Sequence, residues 1–347
     1  MTALTAVRDR SVRPVPWSRL VWVVWRRYRF TLAGTAGILA LLAADLVITG
    51  VRARSAYAAV LACTPNNSAQ CRFGFETFHG SYADVGLVGV ILVFLPGLVG
   101  VFAGAPILAR EFETGTFRYT WTQGVGRMRW AIAVLVSGAV GVAAVIGVFG
   151  LLVGWQQQPL VDSGLVQRMQ FTYFSVTGIA CAGWGLLGFG LGVLAGLLWR
   201  RVLPALVTAF VAWFGLAFLA ADVLRPGYQS ALTTTSLSLP GNDFPVSQWF
   251  TKDGGRVTDD QINSALQAVG VQIDNSGGSF QAAPSSGGSG VSVDPVQYLL
   301  QHGYLQVTSY QPDSRFWTFQ WIEFGWLTAL TLLTLGATLW LLRRRSA

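Results

Sequence analysis

The sequence predicts an all-α polytopic membrane protein: six transmembrane helices, an N-terminal interfacial elbow helix, and a small α/β extracytoplasmic domain between helices five and six. Three observations carry that expectation. Apolar residues make up 52% of the 347-residue chain and charged residues only 12%, against about 25% charged in soluble proteins. The apolar residues gather into runs of about 20 or more, long enough to cross a hydrocarbon core of about 30 Å as helices. Basic residues are shared unequally among the segments that join those runs, as membrane topology requires.

The six runs are Phe30 to Gly50, Val85 to Leu108, Trp130 to Val153, Thr172 to Trp199, Val202 to Val223 and Phe316 to Leu342. An even number puts both termini on one side. With both termini cytoplasmic, that side receives sixteen Arg and the other side eight basic residues, four of them in the long segment before the last run. Segments of that length count little in the positive-inside rule. The net charge of +8 is therefore read as a topology signal in a multi-pass plasma-membrane protein contacting lipid. No nucleic-acid partner is expected, because no aromatic and basic groove pattern accompanies the charge.

Domain boundaries follow from the runs. Residues 1–29 form the cytosolic N-terminus and elbow helix, and 30–223 hold helices one to five, with a charged cytosolic segment at 108–129. The extracytoplasmic domain spans 224–315, and 316–347 hold the last helix and a basic tail. The elbow is read from PWSRLVWVVWRRYR, which places Trp17, Trp22, Trp25 and Tyr28 among Arg19, Arg26, Arg27 and Arg29; aromatic bodies with basic heads favour the membrane interface. No removable signal peptide is expected, since no short apolar core with a small-residue cleavage site is visible.

In the first outer loop, Cys63 and Cys71 flank a short segment whose oxidising surroundings permit a disulfide. Cys181 lies inside the fourth run and reads as packing.

The segment from Leu224 to Arg315 carries its own structural signals. TDDQINSALQAVG offers Thr258 as a cap, Gln261 three residues later, then Ile262, Leu266 and Val269 on one face before Gly270, which predicts a helix. DPVQYLLQHG repeats the pattern with Asp294, Pro295 and the stop Gly303, and a strand from Tyr304 to Tyr310 should follow. Between the helices, NSGGSFQAAPSSGGSG reads as a flexible loop.

Catalytic signatures are missing from the sequence. Lys252 is the only lysine and no glycine precedes it, so the chain has no GxxxxGK[ST] phosphate loop. His79 and His302 fall in separate outer segments, no paired-Cys spacing is present, and neither a metal nor a cofactor is expected on this chain. Gly183, Gly185 and Gly188 spell GxGxxG, but a dinucleotide fingerprint belongs after a strand, not inside an apolar run. Gly188, Gly192 and Gly196 instead have the spacing that lets helices approach closely in lipid.

Asp45, Gln320 and Glu323 are candidate polar residues of a transport path. Acids within spans are functional hypotheses by default, and a proton-driven transporter would use Asp45 or Glu323. The bland expectation is that both acids reach interfacial water or pair with Arg52, Arg54 or Arg315. No broken-helix pair of the kind found in many secondary transporters is visible in the runs. A third class, a receptor whose outer domain senses a ligand, also fits the layout.

GAPILAREFETGTFRYTWTQGVGRMRW, Gly104 to Trp130, packs four Arg and two Glu between the second and third runs. Positive-inside sorting needs only basic residues, so the two glutamates point to contact with a protein. At these residues the chain resembles the membrane subunits of type-2 ABC exporters, in particular an actinobacterial branch. The likeness lies in an ExExGT element at Glu111 to Thr116, a TWTQ stretch at Thr120 to Gln123, RxRW at Arg127 to Trp130, and QPDSRFWTFQWIE at Gln311 to Glu323.

The resemblance implies a non-enzymatic permease subunit that works with a second copy of itself or a similar subunit. It further implies two copies of a separate ATPase carrying ATP and Mg. Arg110, Glu111, Glu113, Thr114, Gly115, Thr116 and Arg118 would form the segment seated on that ATPase. The substrate would be a hydrophobic compound, drug or lipid-like molecule moved outward.

Overall fold

Six helices long and apolar enough to cross a membrane stand among the described residues, at Leu39–Cys63, Leu92–Glu113, Met128–Asp162, Gly178–Trp199, Val202–Gly227 and Asp313–Arg344. The computed structural model describes residues 16–63, 69–82, 86–115, 127–237, 239, 242–267, 272–273, 282–283 and 295–344. They form two compact units. One comprises Met1–Val166, Gln170–Arg225 and Trp317–Ala347, the other Gln167–Met169 and Pro226–Phe316.

The membrane unit starts with α1, Trp17–Cys63, a single helix of 47 residues. The aromatic and basic stretch is helical and continues into the first span without interruption. At about 1.5 Å per residue α1 is roughly 70 Å long, well over twice the hydrocarbon thickness. Cys63 is joined by a disulfide to Cys71 of α2, Ala69–Tyr82, with a Cα separation of 5.5 Å. The chain returns along α3, Gly86–Glu113, and crosses again as α4, Arg127–Asp162, which continues nine residues past the apolar run into Trp155–Gln158. Arg54 fastens α1 to α4 by donating from Nη2 to the Trp155 carbonyl at 2.7 Å, its guanidinium 4.6 Å from the Trp155 ring centroid.

The fourth span departs from the sequence expectation of an unbroken helix. It is divided into α5, Phe171–Phe174, and α6, Gly178–Trp199, with Ser175–Thr177 between them out of helical register. Gly178 sits at φ +64°, a left-handed conformation that glycine reaches without a Cβ penalty. Hydropathy does not flag this break because Phe171, Phe174 and Val176 keep Phe171–Thr177 apolar on average despite its hydroxyl residues. The fifth span, α7, Val202–Leu219, ends in a π turn at Ala220–Leu224 and a 3₁₀ turn at Arg225–Gly227. The sixth is α10, Phe316–Arg344.

Glycines place α6 at the centre of this unit. A Cβ on Gly188 would lie 2.9 Å from the Gly97 carbonyl oxygen of α3, and one on Gly192 would lie 2.8 Å from the Ala105 nitrogen. Each is too close for any side chain. Gly185 turns toward Ile146 of α4 and Gly183 toward Leu327 of α10, each at 3.0 Å. The three glycines of the GxGxxG match thus serve contacts with three different helices. Phe189, Val193 and Leu197 fill the remaining space against α3 and α4, whereas Leu203, Val207 and Val211 of α7 are exposed, as side chains facing hydrocarbon are.

The second unit is a four-stranded antiparallel sheet in the order β1-β6-β2-β3, formed by Leu232–Thr234, Tyr304–Gln311, Phe244–Lys252 and Gly255–Arg256 respectively. Two helices, α8 at Asp259–Gln267 and α9 at Pro295–Gln301, join Phe250 and Tyr304 of the sheet through Ile262, Leu266 and Leu299. The expected capping interaction is present in one direction, from the Thr258 N–H to Gln261 Oε1 at 3.1 Å. Val269, Gly270 and Asp294 lie outside the described residues. Within the Gly/Ser-rich stretch, Ala282–Ala283 (β5) pairs with Gln272–Ile273 (β4). Strand β2 was not foreseen, since Pro245 disguises it. Proline has no N–H for a ladder, and the register shifts between Pro245 and Ser247.

Candidate functional site

A buried polar cluster occupies the place where the fourth and fifth spans lose helical regularity. Glu323 on α10 is 0% exposed and Arg225, in the 3₁₀ turn after α7, is 7% exposed. Arg225 donates from Nε to Glu323 Oε2 at 3.1 Å and from Nη2 to Oε1 at 2.9 Å, while Trp184 Nε1 donates to the same Oε1 at 2.8 Å. The guanidinium carbon lies 4.2 Å from the Phe174 ring centroid, and Nη2 reaches Ser175 Oγ at 3.4 Å. Ion pairs away from water hold only where donors and acceptors match in this way.

One turn earlier on α10, Gln320 repairs the broken fourth span. Its Oε1 accepts from the Ala180 N–H at 2.8 Å and its Nε2 donates to the Phe174 carbonyl at 3.2 Å. One side chain therefore satisfies a backbone group on each side of the break, which lipid cannot do. Gly178 is confined by the same residue, since a Cβ there would lie 2.7 Å from Gln320 Oε1.

These positions revise the expectations for the acids. Glu323 does not reach interfacial water and does not use Arg52, Arg54 or Arg315. Its cation is Arg225, a residue that sequence reading assigns to the outer segment, 98 positions away. Arg54 is engaged with Trp155, and Arg315 Nη1 donates to the Ser230 carbonyl and to Gln311 Oε1. Asp45 is exposed on α1, and none of the cluster's hydrogen bonds described above involves it.

A second charged junction lies where α3 ends. Glu111 is 4% exposed, so it does not present its carboxylate at the surface. Arg110 and Glu113 are exposed, and Glu113 Oε1 accepts from the Val202 N–H, at the first residue of α7, at 2.9 Å. Arg200, at φ +55° between α6 and α7, stacks its guanidinium 5.7 Å from the Phe112 ring centroid. Thr114 turns back on Arg110, its N–H and Oγ1 both donating to that carbonyl, at 3.0 and 2.8 Å. Gly115 follows at φ +68°, a left-handed residue that ends helices. Thr116 and Arg118 lie outside the described residues.

Six spans with a charged junction after the second mark a multi-pass membrane component; no cluster of three or more metal-ligating residues stands among the described residues. A family model described as "ABC-2 membrane transporter related" matches residues 36–225, more than half of the chain. The chain belongs to that family. No curated protein and no solved structure matches. This ABC-2-type permease is thus a multi-pass membrane protein, the non-catalytic membrane part of a transporter whose family implies an ATPase subunit as partner. The match runs through the first five spans of the permease and ends on Arg225, the cation of the buried pair.

Proposed function

We propose that the chain is the transmembrane subunit of an ATP-driven exporter, paired with a second copy of itself and with two copies of a separate ATPase that binds ATP and Mg. Both termini and the α3–α4 segment lie on the cytoplasmic side, and the domain between α7 and α10 lies outside. The observation that carries the reading is the family match over the spans flanking the charged junction. Positive-inside sorting of the arginines supports the orientation. The exposed charge of Arg110 at the end of α3 supports contact with a soluble partner. Substrate is a hydrophobic compound, drug or lipid-like molecule, passed outward as the ATPase dimer closes and the helices exchange inward for outward access.

Burial alters how the coupling segment is tested. Charge reversal at Glu111 would place a cation in the protein interior, so the informative positions are Arg110, which is exposed, and the next arginine in the segment, Arg118. R110E/R118E should lower recovery of the ATPase with the tagged permease by roughly tenfold, corresponding to about 1.4 kcal/mol of binding, with the permease still folded. Undiminished recovery would remove the segment from the interface. Transport driven by a proton gradient with the ATPase absent would replace the ATP-driven reading altogether.

A further inference from the structure

The first turn of α7 lacks a cap of its own. Its N-cap residue, Arg201, is extended at φ −136° and ψ 137° and makes no side-chain capping bond. A helix start leaves its first N–H groups without intrahelical acceptors and carries partial positive charge. The acceptor comes from another helix: Glu113, the last residue of α3, takes the Val202 N–H at 2.9 Å. On the other side of the same turn, Arg200 lies over Phe112. Two consecutive residues at the end of α3 therefore contact the α6–α7 connection on both sides.

We infer that Glu113 is a positioning residue that couples the end of α3 to the start of α7. A displacement of the segment beyond Gly115 reaches α7 directly through this bond, in addition to travelling up α3. α7 is also the helix whose far end leads to Arg225 and the buried pair. Sequence reading groups Glu113 with residues that touch the ATPase; the geometry gives its carboxylate to the permease's own backbone. The inference rests on the ATP-driven reading for the direction of force, but the bond itself does not.

The test separates linking from capping and from partner contact, using the full-length permease with its ATPase in nanodiscs. E113A should recover the ATPase to within about twofold of wild type while lowering permease-dependent ATP turnover by roughly tenfold. E113Q, which keeps an acceptor oxygen, should retain at least about half of the turnover. The double variant E113A/R201S gives α7 a local cap without a tie to α3, and its turnover should stay low, with R201S alone as the control. Restored turnover in the double variant would reduce Glu113 to a cap, and loss of ATPase recovery in E113A would make it a partner contact; either overturns the inference. Hydrogen exchange in the permease alone should quicken at the first turn of α7 in E113A, and unchanged exchange there would also overturn it. Wild-type permease that recovers no ATPase would defeat the ATP-driven reading, leaving the exchange result to decide the bond.

Discussion

Glu113 and Glu323 make the same kind of bond in different surroundings. Each is a carboxylate on one helix that accepts hydrogen bonds from another, Glu113 exposed at the end of α3 and Glu323 fully buried on α10. Depth decides what each is worth. An exposed carboxylate at a helix start contributes about 0.5–1 kcal/mol, within reach of thermal fluctuation and of a partner's push. Removing one member of a buried pair strands the other and costs about 3–5 kcal/mol. The first bond suits the moving joint proposed for Glu113, and the second suits one that holds.

The largest expected effect breaks the buried side of that comparison. R225A should destabilise the permease by about 3–5 kcal/mol, seen as a lowered thermal midpoint in detergent; a midpoint within error of wild type would show the pair to be dispensable. R225M/E323L sharpens the point, because replacing both charges with apolar side chains of similar size should recover more than half of that loss. The charge swap R225E/E323R should recover less, since the Trp184 N–H would then face a donor in place of Glu323 Oε1.

G178A comes next, at about 1–2 kcal/mol from the left-handed backbone, with added loss because Gln320 must retreat from the break it bridges. Equal thermal midpoints for G178A and wild type would contradict the geometry of the interrupted span. Arg168 and Asp313 provide an intermediate case, paired at 3.4 Å with both side chains 31% exposed. R168A should cost no more than about 1 kcal/mol, and a larger loss would mean that depth is not the controlling variable. Smallest in stability is E113A, at about 0.5–1 kcal/mol, although its effect on turnover should be large; a stability loss as great as that of R225A would erase the distinction between the two carboxylates.

Helix number was legible in the sequence because hydropathy is a property of single segments. The glycine face of α6 was legible for the same reason: spacing along one helix is enough to expose it. What stayed hidden depends on two segments at once. Arg225 looks like a residue of the inserted domain until the fold brings it against Glu323. The break at Ser175–Thr177 lowers hydropathy too little to end the apolar run, and its other trace is Gly178 after two β-branched residues. Glu113 reads as partner-facing charge because its acceptor role is fulfilled by a backbone N–H, and every residue but proline offers one. Strand β2 was missed because Pro245 argues against a strand, and the bulge that accommodates it has no sequence signature.

The seam between α3 and α6 bears on where cargo can travel. With Gly100 and Gly104 of α3 set against the Gly185 and Phe189 backbone, and Gly188 and Gly192 of α6 against the Gly97 and Ala105 backbone, no acyl chain or drug ring fits between the two helices. α3 and α6 therefore act as one double-walled plank, and the seam inside it is closed to the cargo of the proposed exporter.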